Sequence, residues 1–183
     1  RNFKDGELGI INVGYKPLPF KTDLKPFNSD DYSLISILIL RSKTKSIVID
    51  DAQYLMVNEF MRNAKSNGYQ KFTDIALNFW NLVQMVIKDL PSDVIVYFLG
   101  HIERDNNGNE KFKTIGRMLD EKITLEGMFT IVLKTLVQDG KYMFTTQTSG
   151  MDTVKSPVGL FDSITIDNDL KFVDTKIREF YNI

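Results

Sequence analysis

Apolar positions change rhythm along this chain, and each change marks an element. Glu7 to Val13 and Ser46 to Asp51 (Ser-Ile-Val-Ile-Asp-Asp) are short apolar runs of strand length. The second is made of small and β-branched residues, the composition of a strand buried on both faces. Between them, Tyr15-Lys16-Pro17-Leu18-Pro19-Phe20 cannot be regular, because its two prolines fix the backbone and remove donors. Gly14 to Asn28 is therefore expected to be a loop, or an extended arm against the sheet. Asp30 or Asp31 predicts a capped helix from Tyr32 to about Leu40, apolar nearly all round and hence well buried. Gln53 to Ala64 carries Tyr54, Val57, Met61 and Ala64 at helical spacing.

The clearest amphipathic helix runs from Phe72 to Leu90, with Ile75, Ala76, Phe79, Val83, Val86 and Ile87 on one face and Pro91 ending it. Phe72, Phe79 and Trp80 fit core spacing there better than a base-stacking platform. Asp93 to Glu103 predicts a second buried strand, broken by Asp105-Asn106-Asn107-Gly108-Asn109, with Glu110 to Ile115 returning as a hairpin arm. Phe129 to Gln138 and Lys141 to Gln147 flank Asp139-Gly140, the strongest hairpin signal in the chain. After a loop from Thr148 to Gly159, the tail combines a short apolar stretch with a charged helix from Asp169 to Tyr181. Helices alternate with buried strands first and hairpins follow. That order predicts an α/β fold, a mostly parallel sheet flanked by helices with antiparallel hairpin strands at the C-terminal edge. No repeat or linker divides the 183 residues, so a single domain spanning 1–183 is expected.

Composition narrows the chemistry. There are no cysteines, which removes disulfides, thiolate catalysis and zinc–thiolate sites, and one histidine removes a multi-histidine metal site. A net charge of −1 argues against tight nucleic-acid binding through bulk charge. No apolar run approaches the roughly 18 residues of a membrane span, so no membrane partner is expected and the location expected is cytoplasmic.

Asp50 and Asp51 stand where their strand would leave the sheet, the edge at which open α/β sheets bind ligands. Mg²⁺ takes oxygen ligands and shares phosphates with one or two carboxylates. Asp50 is thus the candidate metal ligand, and Asp51 the candidate to orient or deprotonate an attacking water. The plainer alternative is a solvated Asp pair capping the next helix. His101 ends the second apolar strand, which a parallel sheet would place beside Asp50, where it could touch a γ-phosphate or its water. Lys155, in Lys155-Ser156-Pro157, is either solvent-facing or a cation that reaches a neighbouring subunit's phosphates. Lys111, Lys113 and Arg117, with Phe112 between them, are either a solvated hairpin face or a patch for single-stranded nucleic acid. Gly9 to Lys16 nearly spells G-x-x-x-x-G-K, but Tyr15 intervenes and the segment has strand character, so it is not a phosphate loop.

Ser46 to Met61, Phe98 to Glu103, Lys113 to Gly127, Lys155 to Phe161 and Ile166 to Leu170, in this order, resemble phage-encoded RecA-like P-loop ATPases of the AAA class, linked to recombination and single-strand annealing. The resemblance implies a RecA-like core, with Asp50-Asp51 as the Walker B element. It implies ATP and Mg²⁺ bound with Asp50, Asp51 and His101, and a homo-oligomer that brings the Lys155 loop near an adjacent nucleotide. Its implied partners are single-stranded DNA and phage recombination or single-strand-binding proteins in the host cytoplasm. The family's Gly-Lys-Ser/Thr phosphate loop is expected to precede Arg1, so these residues alone are expected to be inactive. Two other readings remain open: a non-catalytic scaffold or annealing module, and a metal-dependent nuclease, for which one adjacent acid pair is sparse.

Overall fold

A computed structural model describes residues 2–116 and 118–183. The described residues gather into two compact units, one of residues 4–101 with 113–116 and 118–124, the other of residues 2–3, 102–112 and 125–183.

The first unit is built on a four-stranded parallel sheet. Its strands are β1 (Leu8–Asn12), β2 (Phe27–Asn28), β3 (Ser46–Asp50) and β4 (Ile95–Phe98), in the order β2-β1-β3-β4. Parallel strands need crossovers, and here α1 (Tyr32–Leu40), α2 (Gln53–Arg62) and α3 (Gln70–Asp89) supply helices between them. β3 lies between β1 and β4, and its Ser46, Ile47, Val48 and Ile49 are all buried, as a two-faced apolar strand requires. The register pairs Asn12 with Asp50 and Ile49 with Phe98, so three strand ends lie side by side. The α3 face (Ile75, Ala76, Phe79, Leu82, Val83) is buried, and the Phe79 ring lies 6.2 Å from that of Phe98. One π-helical turn, Met118–Ile123, packs on α3.

The segment after β1, expected as a loop or an extended arm against the sheet, is a loop whose last two residues, Phe27 and Asn28, pair with Ile11 and Asn12 as an edge strand. Other expectations are corrected. Asp31 caps α1 through the Leu34 N–H, yet only Ile35 and Ile39 of that helix are buried. A helix lying against neighbours buries one stripe, so Leu34, Ile37 and Leu40 stay exposed despite their apolarity. Ile37, 46 % exposed, lines a groove of about 430 Å³ with Ile11, Phe27 and Leu38. On α2 the buried face is Gln53, Leu55, Met56 and Glu59, whereas Met61 is exposed. A purely apolar stripe misplaced that face because it left out the two polar members. Asp93 to Glu103 is not one buried strand. β4 is a half-buried edge strand, and the chain leaves the sheet at Leu99-Gly100-His101.

The second unit is antiparallel. β5 (Ile102–Arg104) pairs with β6 (Glu110–Phe112), and β7 (Lys134–Gln138), β8 (Lys141–Thr145) and β9 (Thr165–Asp167) form a three-stranded sheet. Asp139 and Gly140, with φ of 51° and 74°, make the two-residue turn of mirror-image type that their sequence predicts. α4 (Leu170–Tyr181) starts at Asp169, whose carboxylate accepts from the Lys171 and Phe172 N–H groups, and it buries Val173 and Ile177. The protein is thus a mixed α/β structure, a helix-flanked parallel sheet with added antiparallel strands. Among the described residues, no helix is long and apolar enough to cross a membrane.

Candidate functional site

The carboxyl ends of β1, β3 and β4 bring Asn12, Asp50, Asp51 and His101 to one edge. Backbone hydrogen bonds grip the acid pair from both sides. The Val13 N–H donates to Asp50 O at 3.2 Å, the Leu99 N–H to Ile49 O at 3.0 Å, and the Ala52 N–H to Leu99 O at 2.7 Å. Between these anchors Asp51 takes a left-handed conformation, φ 58°. Aspartate tolerates this better than most residues, at some cost. The conformation turns the chain out of β3, and Ala52, with no side-chain oxygen, then begins α2 uncapped.

Asp51 is the hub. Its Oδ2 lies 2.6 Å from Lys16 Nζ and its Oδ1 3.4 Å from His101 Nε2. The Asp51 side chain is 18 % exposed and that of Lys16 58 %. Lys16 comes from the proline-bearing loop after β1, and local contacts hold it there. Asn12 Nδ2 donates to Lys16 O at 2.7 Å, and Lys16 Nζ sits 5.0 Å from the centre of the Tyr54 ring. Gly14 matters because of its close approach: a Cβ there would lie 2.8 Å from Asp51 Oδ2 and 2.8 Å from Lys16 Cε. The hydrogen bond that Lys16 donates to Asp51 raises the Lys16 ammonium above the usual lysine range. Burial, and then the charge of Asp51, raises the Asp50 carboxyl above the usual carboxylate range, against the lowering effect of the Asp51 N–H.

A cation at Asp50 would relieve that penalty, and an oxygen ligand beside a second carboxylate suits Mg²⁺. Close by in sequence, Gln53 is 3 % exposed and its Oε1 has no hydrogen-bond partner, a further acceptor not used within the protein. No cluster of three or more metal-binding side chains forms among the described residues. The donor set therefore fits an ion that shares its ligands with phosphate and water, and it does not fit a closed cage.

The structure brings together Asp50, Asp51 and His101 as the sequence led one to expect. Lys155 belongs to the antiparallel unit, where its backbone bridges Val132 in both directions, at 3.0 and 2.8 Å. Lys111 lies opposite Glu103 on β5, with Nζ 4.0 Å from its carboxylate. Lys113 belongs to the parallel-sheet unit, its N–H donating to His101 O at 2.9 Å, and Arg117 lies outside the described residues. Sequence reasoning missed Lys16 and Asn12. The signal was topological: if β1 neighbours β3 in parallel, the loop after β1 opens at the same edge as Asp50.

No family model, no curated protein and no solved structure matches this chain.

Proposed function

We propose that the parallel-sheet unit is a RecA-like P-loop core that binds and hydrolyses ATP with Mg²⁺, coupling the nucleotide to assembly on single-stranded DNA in phage recombination or repair. The observation that carries this reading is the meeting of Asp50, Asp51, Lys16 and His101 at the carboxyl ends of parallel strands. A bound Mg²⁺ would supply charge neutralisation at the β- and γ-phosphates. Asp50 is the residue to hold it. Asp51 is the residue to accept a proton from the attacking water in this reading. His101, near Asp51 Oδ1, is the polar group to contact the γ-phosphate or that water. No G-x-x-x-x-G-K-[ST] phosphate loop occurs within these 183 residues. Self-assembly would bring Lys155 to an adjacent nucleotide, and Lys111 and Lys113, each in its own unit, would be cations for single-stranded DNA.

The test is steady-state ATP turnover by the full gene product and by its Asp50→Ala variant, with and without single-stranded DNA. Turnover that falls sharply in the variant supports the reading, and equal rates overturn it. Tight nucleotide binding with no turnover in either protein would favour the alternative, a non-catalytic scaffold or annealing module on the same fold.

A further inference from the structure

We propose that Lys16 is a ligand for the nucleotide's terminal phosphate, and that it exchanges Asp51 for that phosphate, freeing the Asp51 carboxylate to meet water. The proposal rests on the ATPase reading above and adds to it the residue that reports the γ-phosphate.

Three observations support it. The first is charge. Asp50 and Asp51 are adjacent at one strand end, and a polyphosphate arriving there meets two carboxylates, so the protein needs a cation of its own. Two other basic residues of this unit are engaged elsewhere: Lys45 with Asp93 at the amino ends of β3 and β4, and Arg62 with Asp30. Lys16 alone among these three lies at the carboxyl edge, and lysine binds phosphate as a compact point charge with three donors.

The second is mobility. The Lys16 backbone is tied by Asn12, but its side chain is more than half exposed, and an ion pair whose lysine meets water is screened and holds less firmly than an enclosed one. A phosphate oxygen with higher charge competes for the ammonium at little cost, and the four-carbon stem swings without moving the loop. The third is construction. Gly14 lets the loop lie against Asp51, where any side chain would press on both Asp51 Oδ2 and Lys16 Cε, so the loop's path is shaped to deliver this lysine.

Lys16 Nζ, 2.6 Å away, occupies Asp51 Oδ2, so water cannot take that place while the pair holds. Exchange would couple the two events: the residue that detects the γ-phosphate is the one that releases the base. ADP lacks that phosphate and would leave the pair intact.

The experiment is equilibrium binding of Mg·ADP and of a non-hydrolysable Mg·ATP analogue to the full gene product, as wild type, Lys16→Ala, Lys16→Arg and Asp51→Asn. Lys16→Ala is expected to weaken the analogue about tenfold, the value of one charge-assisted hydrogen bond, and to leave ADP nearly unchanged. Lys16→Arg should recover most of the loss. Asp51→Asn should bind the analogue more tightly, because nothing competes for Lys16. Thermal melting of each variant at the wild-type temperature verifies the fold. Wild-type binding of both nucleotides with no selective loss in Lys16→Ala, or analogue binding unchanged or weaker in Asp51→Asn, overturns the exchange and leaves the ATPase reading standing. If the wild type binds neither nucleotide, the ATPase reading falls and the role of Lys16 falls with it.

Discussion

Lys134 and Lys16 each face acidic side chains, Lys134 in the antiparallel unit and Lys16 in the parallel-sheet unit. Lys134 Nζ lies 2.6 Å from Glu110 and 3.2 Å from Asp152, whose side chains are 12 % and 4 % exposed. Arg104 adds a second cation to Glu110 at 2.8 Å, while the Val154 N–H donates to Asp152 Oδ1 and the Thr148 hydroxyl to Asp152 O. Hydrogen bonds from Lys134, then from Arg104, hold the Glu110 carboxyl below the usual glutamate range. Every charge there has a partner, and the two carboxylates meet little water although Arg104 is largely exposed. At Lys16 the arrangement is the reverse: an exposed lysine, a strained aspartate, and an adjacent carboxyl that burial and its neighbour's charge keep above its ordinary range. The same residue types thus give a structural tie in one place and an open, unbalanced cluster in the other. Imbalance at a strand end, more than acidity as such, distinguishes the candidate site.

The contrast can be broken most sharply at Lys134. Replacing it with Ala leaves Glu110 with Arg104 alone and Asp152 without a cation, and urea denaturation should show a loss of roughly 3 kcal/mol, two charge-assisted hydrogen bonds at about 1.5 kcal/mol each. Lys16→Ala should leave the same denaturation curve where it was, and equal losses would erase the distinction. Next in size, Asp50→Ala should lower ATP turnover about 100-fold or more, since even outer-shell partners of a metal are worth nearly that much. Its melting temperature should hold or rise at neutral pH, because the charge it removes is disfavoured in the fold.

Glu59 tests whether a raised carboxyl always marks a site. It is buried on α2, accepts from Asn78 Nδ2 at 2.7 Å, and leaves Oε2 without a partner. Burial raises its pKa, only partly offset by the Asn78 hydrogen bond. The folded state therefore holds the Glu59 proton more tightly than the unfolded chain does, so its contribution is complete below the ordinary glutamate pKa and is lost as pH rises past the folded value. Glu59→Gln should melt higher than wild type at pH 8, with the gain fading as the pH falls toward about 4. A gain that persists unchanged at low pH would show that packing, and not charge, is responsible. The smallest effect is expected at Gly14. Gly14→Ala should leave the melting temperature within a degree or two of wild type, since Lys16 Cε can yield, and should weaken binding of the ATP analogue a few-fold by displacing that lysine.

Much of the fold could be read directly from the chain. Ile47 to Ile49 identified a doubly buried strand, Asp31 and Asp169 their helix starts, and Asp139-Gly140 its turn, because each rule involves neighbours in sequence. The faces of α1 and α2 were misjudged, since how much apolar surface a helix buries depends on what covers it. The acid pair and His101 were recognisable from strand ends alone. Lys16 was not, because its contact with Asp51 spans two strands and a helix, and no local period encodes a neighbour brought in by sheet order.

The parallel sheet also sets a timetable. The Asp139-Gly140 hairpin closes over two residues, and hairpins form in about 1–10 μs. The β1–β3 and β3–β4 ladders each wait for a helix-bearing crossover to close, the kind of non-local pairing that slows folding. Asp50, Lys16 and His101 come from three such separated segments, so they meet only when the slowest pairings are complete. A chain arrested early in folding would already display its hairpin and would have no acid–lysine cluster at all.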